Sequence, residues 1–403
     1  MKRRPGWGAG TLVLAGLILF LRRPDALFNP QFFAEDGPIF FIGAYIFGLK
    51  AVLMPYGGYL HVVPRLVAWM ALGPDPRWAP AIYNFSAFAL QLTVVAMLLS
   101  PRLRLPAKPI LALAFVLVPH TGEVFVNLAN VQWSLALVLI LLLIAEDAVT
   151  WAQRIFDFFA LALCGLTGPF LCFLSPLFIL RLLSRRTPES ARFVCWASLL
   201  AGMQAFYLYR ERAIFVRKSL ADPVLLASVM SGRLYGTFFG GYGLADFSVS
   251  AAWILFGAVL TVLLISLARR PGAWSFPRQV LVGAWLCLVV AVGSKFLREA
   301  FALSGPRNGD RYFFLPHVLL AWLLVVEGAR QSGWKRLIPS ILLAVALAAN
   351  LKFYRMEPLR DYAWAQRIQP IREGKAFSIP INPEGWAVNA LEKNDSTRPS
   401  GPE

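Results

Sequence analysis

Residues 1–23 read MKRRPGWGAGTLVLAGLILFLRR. A basic cluster comes first, then an apolar run, then a second basic pair, Arg22-Arg23. The order resembles a signal peptide, but no A-x-A cleavage site follows, so the expectation is an uncleaved first membrane span. The same alternation of apolar run and basic loop continues along the chain. Its residues are 58% hydrophobic and only 15% charged, against about a quarter charged in soluble domains. The expected fold class is an all-α polytopic membrane protein with about 11–12 transmembrane helices, for which 403 residues leave room.

Hydropathy places spans near 7–21, 79–99, 109–119, 131–145, 155–167, 170–183, 191–208, 249–267, 279–297, 312–329 and 337–351. Several fall short of the roughly 20 residues that cross about 30 Å of hydrocarbon, so their ends must borrow amphipathic residues or lie inside the bundle. Net charge of +17 would suggest nucleic acid in a soluble protein. Here the basic residues sit in short loops, at Lys2-Arg3-Arg4, Arg102/Arg104/Lys108, Arg185-Arg186, Arg269-Arg270 and Lys335-Arg336. That is the positive-inside pattern, and nucleic acid is rejected as a partner. With the N-terminus inside, 100–108, 184–190, 268–278 and 330–336 are cytoplasmic. Segments 22–58, 120–130, 209–248, 298–311 and the tail after 352 then face outward. The domain reading is a membrane region over 1–351, including the outer loop 22–58. A short extracytoplasmic extension follows over 352–403, expected to end in disorder at DSTRPSGPE.

One segment disturbs the count. GGYLHVVPRLVAWMALG, residues 57–73, is apolar enough to enter the membrane but carries His61, Pro64 and Arg65. A half-inserted or re-entrant element buried against protein accommodates it. Cys164, Cys172, Cys195 and Cys287 all lie in apolar runs and form no CxxC or His/Cys cluster, so packing is their expected role. No P-loop, GxSxG or HExxH signature occurs, and no cofactor or metal site is expected.

Four constellations carry chemistry. In FFAEDGPIFF, residues 32–41, Glu35 and Asp36 open an apolar-aromatic run suited to an interfacial helix. They are either an N-cap or a general base for an acceptor hydroxyl or amine. His61 and Arg65, four apart, would share a helix face and either snorkel to headgroups or reach a phosphate. Glu123, Asn127 and Asn130 form a polar stripe entering a span, either a bundle-internal network or a substrate-facing wall. Finally, KFLREAFALSGPRNGDRYFFLP gathers Lys295, Arg298, Arg307 and Arg311 in an outer loop, against the orientation rule. Something anionic is expected there, a lipid-linked phosphate being suited to the planar fork of Arg311. The bland alternative is an Arg-Tyr anchor paired with Asp310.

In the order of these loops the chain resembles the glycosyltransferase-C superfamily, membrane enzymes that use polyprenyl-phosphate sugars. The likeness rests on the acidic pair Glu35-Asp36 in the first large outer loop and on Glu123 in the next. It also rests on Arg311-Tyr312-Phe313-Phe314-Leu315-Pro316 opening a late span, and on the run YGGYLHVVPRL. The resemblance implies Asp36 or Glu35 as catalytic base and Arg311 as the grip on donor phosphate, helped by Lys295, Arg298 or Arg65. It also implies an inverting transfer at the outer face of a bacterial inner membrane, with the N-terminus cytoplasmic and the C-terminus periplasmic. The partners would be a polyprenyl-phosphate-linked sugar donor, a lipid, glycan or protein acceptor, and membrane lipids. The chain departs from the family in lacking a D-x-D metal motif and a sizeable outer domain. The rival reading from another class is a lipid-linked saccharide flippase or polysaccharide transporter, which needs no base.

Overall fold

The computed structural model describes residues 6–120, 123–211, 222–242, 251–269, 275–297 and 309–391. The described chain is mostly helical, and each apolar run named above forms helix over most of its described residues. They include Gly6–Arg22, Ala79–Leu99, Lys108–Val116, Val131–Ile144, Trp151–Gly165 and Ser175–Arg185. Pro188–Glu211, Ala251–Arg269, Ser275–Phe296, Arg311–Arg330 and Leu337–Asn350 follow. Five described helical runs are long and apolar enough to cross a membrane: Ala34–Leu53, Pro76–Leu99, Phe276–Phe296, Arg311–Arg330 and Gly333–Phe353.

Burial sorts the helices. All 14 residues of Val131–Ile144 are buried, and the Arg311–Arg330 run is 89% buried against 17% for Gly333–Phe353. The first two therefore form the centre, and the last lies at the edge. Outer faces show large apolar side chains, among them Val13, Ile155, Leu255, Val262 and Val290. Large apolar side chains exposed on several helices suit a lipid-facing surface. Val131–Ile144 rises only about 21 Å, less than the bilayer core. It need not reach further, because the loop 123–130 dips into the bundle beside it, with Val124, Phe125 and Leu128 wholly enclosed.

The two ends of the bundle carry different loops. At one end Arg102 pairs with Asp157 at 2.5 Å, Arg181 and Arg185 share Asp147, and Arg278 meets Glu327 at 2.8 Å. At the other end lie the first outer loop, the 123–130 loop and the C-terminal extension.

Ala34–Leu53 does not behave as a crossing, despite its length. It is a chain of short pieces, with Gly48 at φ +56 breaking it after Phe47. Glu35 at its start and Tyr56 just past its end line the same cavity, whereas 20 residues of continuous helix would separate its ends by about 30 Å. Val62–Met70 is a helix of 9 residues rising about 14 Å, again too short to cross. Its entrance is stitched to the break near Gly168 by Val62 N–H to Leu166 O at 3.1 Å and Gly168 N–H to Leu60 O at 3.0 Å.

The extension after residue 352 closes over the first outer loop. Strands β1 (Phe377–Ile381) and β2 (Trp386–Ala390) pair antiparallel, with Ile379 opposite Val388. Trp364 wedges against Phe32 and Phe41, with ring centroids 4.7 and 5.5 Å apart. Its indole N–H donates to Pro76 O at 2.9 Å, and Arg372 pairs with Asp75. The tail DSTRPSGPE lies outside the described residues.

Candidate functional site

The end of the bundle that carries Glu35 and Arg311 holds a cavity of about 390 Å³. Two carboxylates, Glu35 and Glu211, and two cations, Lys295 and Arg311, share its wall. Between them stand Tyr56, Tyr59, His61, Asn130, Gln132, Trp133 and Tyr312. Leu208, Leu288 and Val292 make a more apolar side. Carboxylates, amides, phenols and aromatic faces in one concavity suit a polyhydroxylated ligand carrying an anionic group.

Arg311 opens its helix, and Glu123 Oε1 accepts from its Nη1 at 2.5 Å, with the Arg311 side chain still 39% exposed. Lys295 Nζ stands 5.0 Å from the Tyr312 ring centroid. Tyr312 in turn meets Trp133 edge-on at 5.5 Å, and Trp133 meets Phe170 at 5.1 Å. The aromatic chain thus ties both cations to the centre of the bundle. Beneath Arg311, Asp310 is fully enclosed and accepts from Tyr242 Oη at 2.8 Å and Arg233 Nη2 at 3.2 Å. His120 Nε2 lies 3.2 Å from it. Asp310 therefore anchors the helix start in the core, and Arg311 takes Glu123 instead of Asp310 as its carboxylate.

The acidic pair divides. Glu35 is partly exposed and lines the cavity, whereas Asp36 is 0% exposed and does not. Asp36 Oδ2 accepts from Phe33 N–H at 3.2 Å, a cap across a single turn. Asp36 as base is accordingly corrected: it is shut in behind the turn that presents Glu35.

His61 and Arg65 do not share a helix face. His61 is the residue before the helix, at φ −125, so the four-residue spacing starts outside it. The imidazole lies against Tyr59 at 4.6 Å and faces the cavity. Burial, with Arg65 nearby, holds its pKa down to about 3, so it reaches a ligand as a neutral ring. Arg65 instead turns inward under Phe40, 3% exposed, and is corrected as a phosphate ligand.

The stripe Glu123, Asn127 and Asn130 is an irregular turn and not a helix face. Asn127 Nδ2 and Asn130 Nδ2 both donate to Glu123 O, at 2.5 and 3.2 Å, and Asn130 N–H donates to Asn127 Oδ1 at 3.0 Å. Backbone without a regular ladder inside a bundle needs side-chain amides to complete its hydrogen bonds. Asn127 is spent on that role, and Asn130 also reaches Trp133 Nε1 at 3.3 Å. Gln91 clamps the same loop, donating to Val124 O at 2.9 Å and accepting from Val126 N–H at 3.2 Å. Val126 is held at φ +52, a conformation that a β-branched residue adopts only under constraint. Arg298 and Arg307 lie outside the described residues.

Sequence reasoning missed Tyr56, Tyr59, Gln132, Trp133 and Glu211. The repeat Tyr56-Gly57-Gly58-Tyr59 is the one local signal among them, since paired aromatics around glycines mark a tight turn. Among the described residues, no three His, Cys, Asp or Glu side chains gather at metal-ligand spacing. Compared with known proteins, the chain matches no protein family, no curated protein and no solved structure.

Proposed function

We propose that the protein is an integral membrane glycosyltransferase of the glycosyltransferase-C type. It would take a polyprenyl-phosphate sugar and pass the sugar to an acceptor at the outer face of a bacterial inner membrane. The observation that carries the reading is the single cavity shared by Glu35, Arg311 and Lys295. Arg311 and Lys295 face the donor phosphate, and the apolar side by Leu208, Leu288 and Val292 takes the start of the lipid. Glu35 accepts the proton of an acceptor hydroxyl. That oxygen attacks the anomeric carbon from the face opposite the phosphate, and the bond from anomeric carbon to phosphate oxygen breaks. Configuration inverts, and polyprenyl phosphate leaves with its charge met by the two cations. Preorganised charges aimed at the leaving oxygen supply the rate. Glu123 keeps Arg311 aimed, and Tyr56, Tyr59 and Trp133 hold the sugar ring.

The test is transfer by purified protein in nanodiscs from a panel of radiolabelled polyprenyl-phosphate sugars, wild type beside Glu35→Gln. Transfer or slow donor hydrolysis in wild type, lost in Glu35→Gln while donor still binds, supports the reading. Binding without turnover in both proteins replaces it with the flippase or transporter.

A further inference from the structure

We infer that the C-terminal extension is a positioning device for Glu35, so that the hairpin of β1 and β2 sets the turn that aims this carboxylate into the cavity. The inference rests on the proposed role of Glu35 and goes beyond it in assigning the extension a part in turnover.

Glu35 sits in a turn of 3 residues, Ala34–Asp36, and both neighbours of that turn are held by the same hairpin. On the upstream side, Ala34 N–H donates to Asn382 O at 2.6 Å, and Asn382 N–H donates to Phe32 O at 3.3 Å. Asn382 is itself fixed, its Oδ1 accepting from Arg360 N–H at 3.1 Å and its Nδ2 donating to Arg360 O at 2.8 Å. Ala34 is left-handed, at φ +49, which a residue with a side chain keeps only where its surroundings impose it. On the downstream side, Gly37 lies directly on the hairpin. A Cβ there would overlap Val388 Cγ2 and stand 2.9 Å from Ile381 Cδ1. Val388 is 0% exposed and has no room to retreat. The carboxylate that faces the cavity is thus strung between two points of one hairpin some 350 residues away, and its direction follows the hairpin.

Two substitutions test this in the full chain. Gly37→Ala overfills the contact, and Val388→Ala removes the methyl groups it would strike. With the active donor, Gly37→Ala is expected to lower kcat about tenfold or more while donor KM stays within about threefold, because a misplaced base slows chemistry without loosening binding. Gly37→Ala/Val388→Ala is expected to regain most of the loss. Unchanged kcat in folded Gly37→Ala, or no recovery in the double variant, overturns the inference. A second readout needs no turnover. Glu35→Cys is made in a background with Cys164, Cys172, Cys195 and Cys287 replaced by Ala, and its labelling by a membrane-impermeant maleimide is timed. Gly37→Ala is expected to shift that rate severalfold and Val388→Ala to return it; a rate that does not move overturns the inference. If Gly37→Ala does not fold, Val388→Ala alone decides, since loosening the contact must change the labelling rate. Should wild type transfer sugar from no donor, the glycosyltransferase reading falls and the labelling arm still judges the hairpin.

Discussion

Glu35 and Asp36 are neighbours in sequence with opposite fates, and the difference is testable by paired substitution. Glu35→Gln removes a proton acceptor from the cavity and is expected to cut turnover by about a hundredfold or more with donor affinity retained. Asp36→Asn keeps an oxygen able to accept from Phe33 N–H, so turnover is expected within a few-fold of wild type. Single-turnover kinetics on the two variants checks both; loss confined to Asp36→Asn would return the base to the buried residue. Arg311→Ala deletes a charge-assisted contact worth about 1.5–3 kcal/mol, so donor Kd should rise roughly ten- to a hundredfold, read by equilibrium binding. The Arg311 partnership with Glu123 could not be read from the sequence. The two lie 188 residues apart and meet only because the 123–130 loop folds down into the bundle.

Among elements, the extension over 352–391 is clasped to the turn at Asp75–Pro76 as well as to the loop 22–58, and one of these clasps is sensitive to acid. Asp75 receives the Arg77 backbone N–H and the Arg372 guanidinium, which hold its carboxyl below the usual carboxylate range. A carboxyl lowered on folding adds stability above its unfolded pKa of about 3.9, and that stability is lost as pH falls through the folded value. Hydrogen exchange across Trp364–Glu373 should therefore be flat from pH 7 to about 5 once corrected for intrinsic rates, and should rise below about 4. Asp75→Asn should reduce that rise, leaving the part that Glu373, held low by Lys375 and Gln369, supplies. The hydropathy pattern located the helices well, since lipid demands apolar runs wherever a helix meets it. It failed for Glu123, Asn127 and Asn130, where a helical spacing arises by accident in a turn whose shape is set by Gln91 and by its own amides.

At the scale of the molecule, Asp310 with Arg233, Tyr242 and His120 forms a charged knot inside the bundle. Asp310→Ala leaves a buried cation without its counter-charge, a change that costs about 3–5 kcal/mol. A marked fall in detergent Tm is expected, whereas Val290→Ala on the lipid-facing surface should move it little. Equal shifts would mean that the knot contributes nothing special. By itself the sequence determined the helical membrane class and the positions of the apolar helices. Those follow from solvation and charge, which act on each segment where it stands. Only the tertiary structure decided that Glu35 and not Asp36 meets the cavity, that Arg311 answers to Glu123, and that the C-terminal hairpin presses on Gly37. Each of these depends on contacts between distant segments, and no local pattern encodes which way a side chain faces once such segments meet.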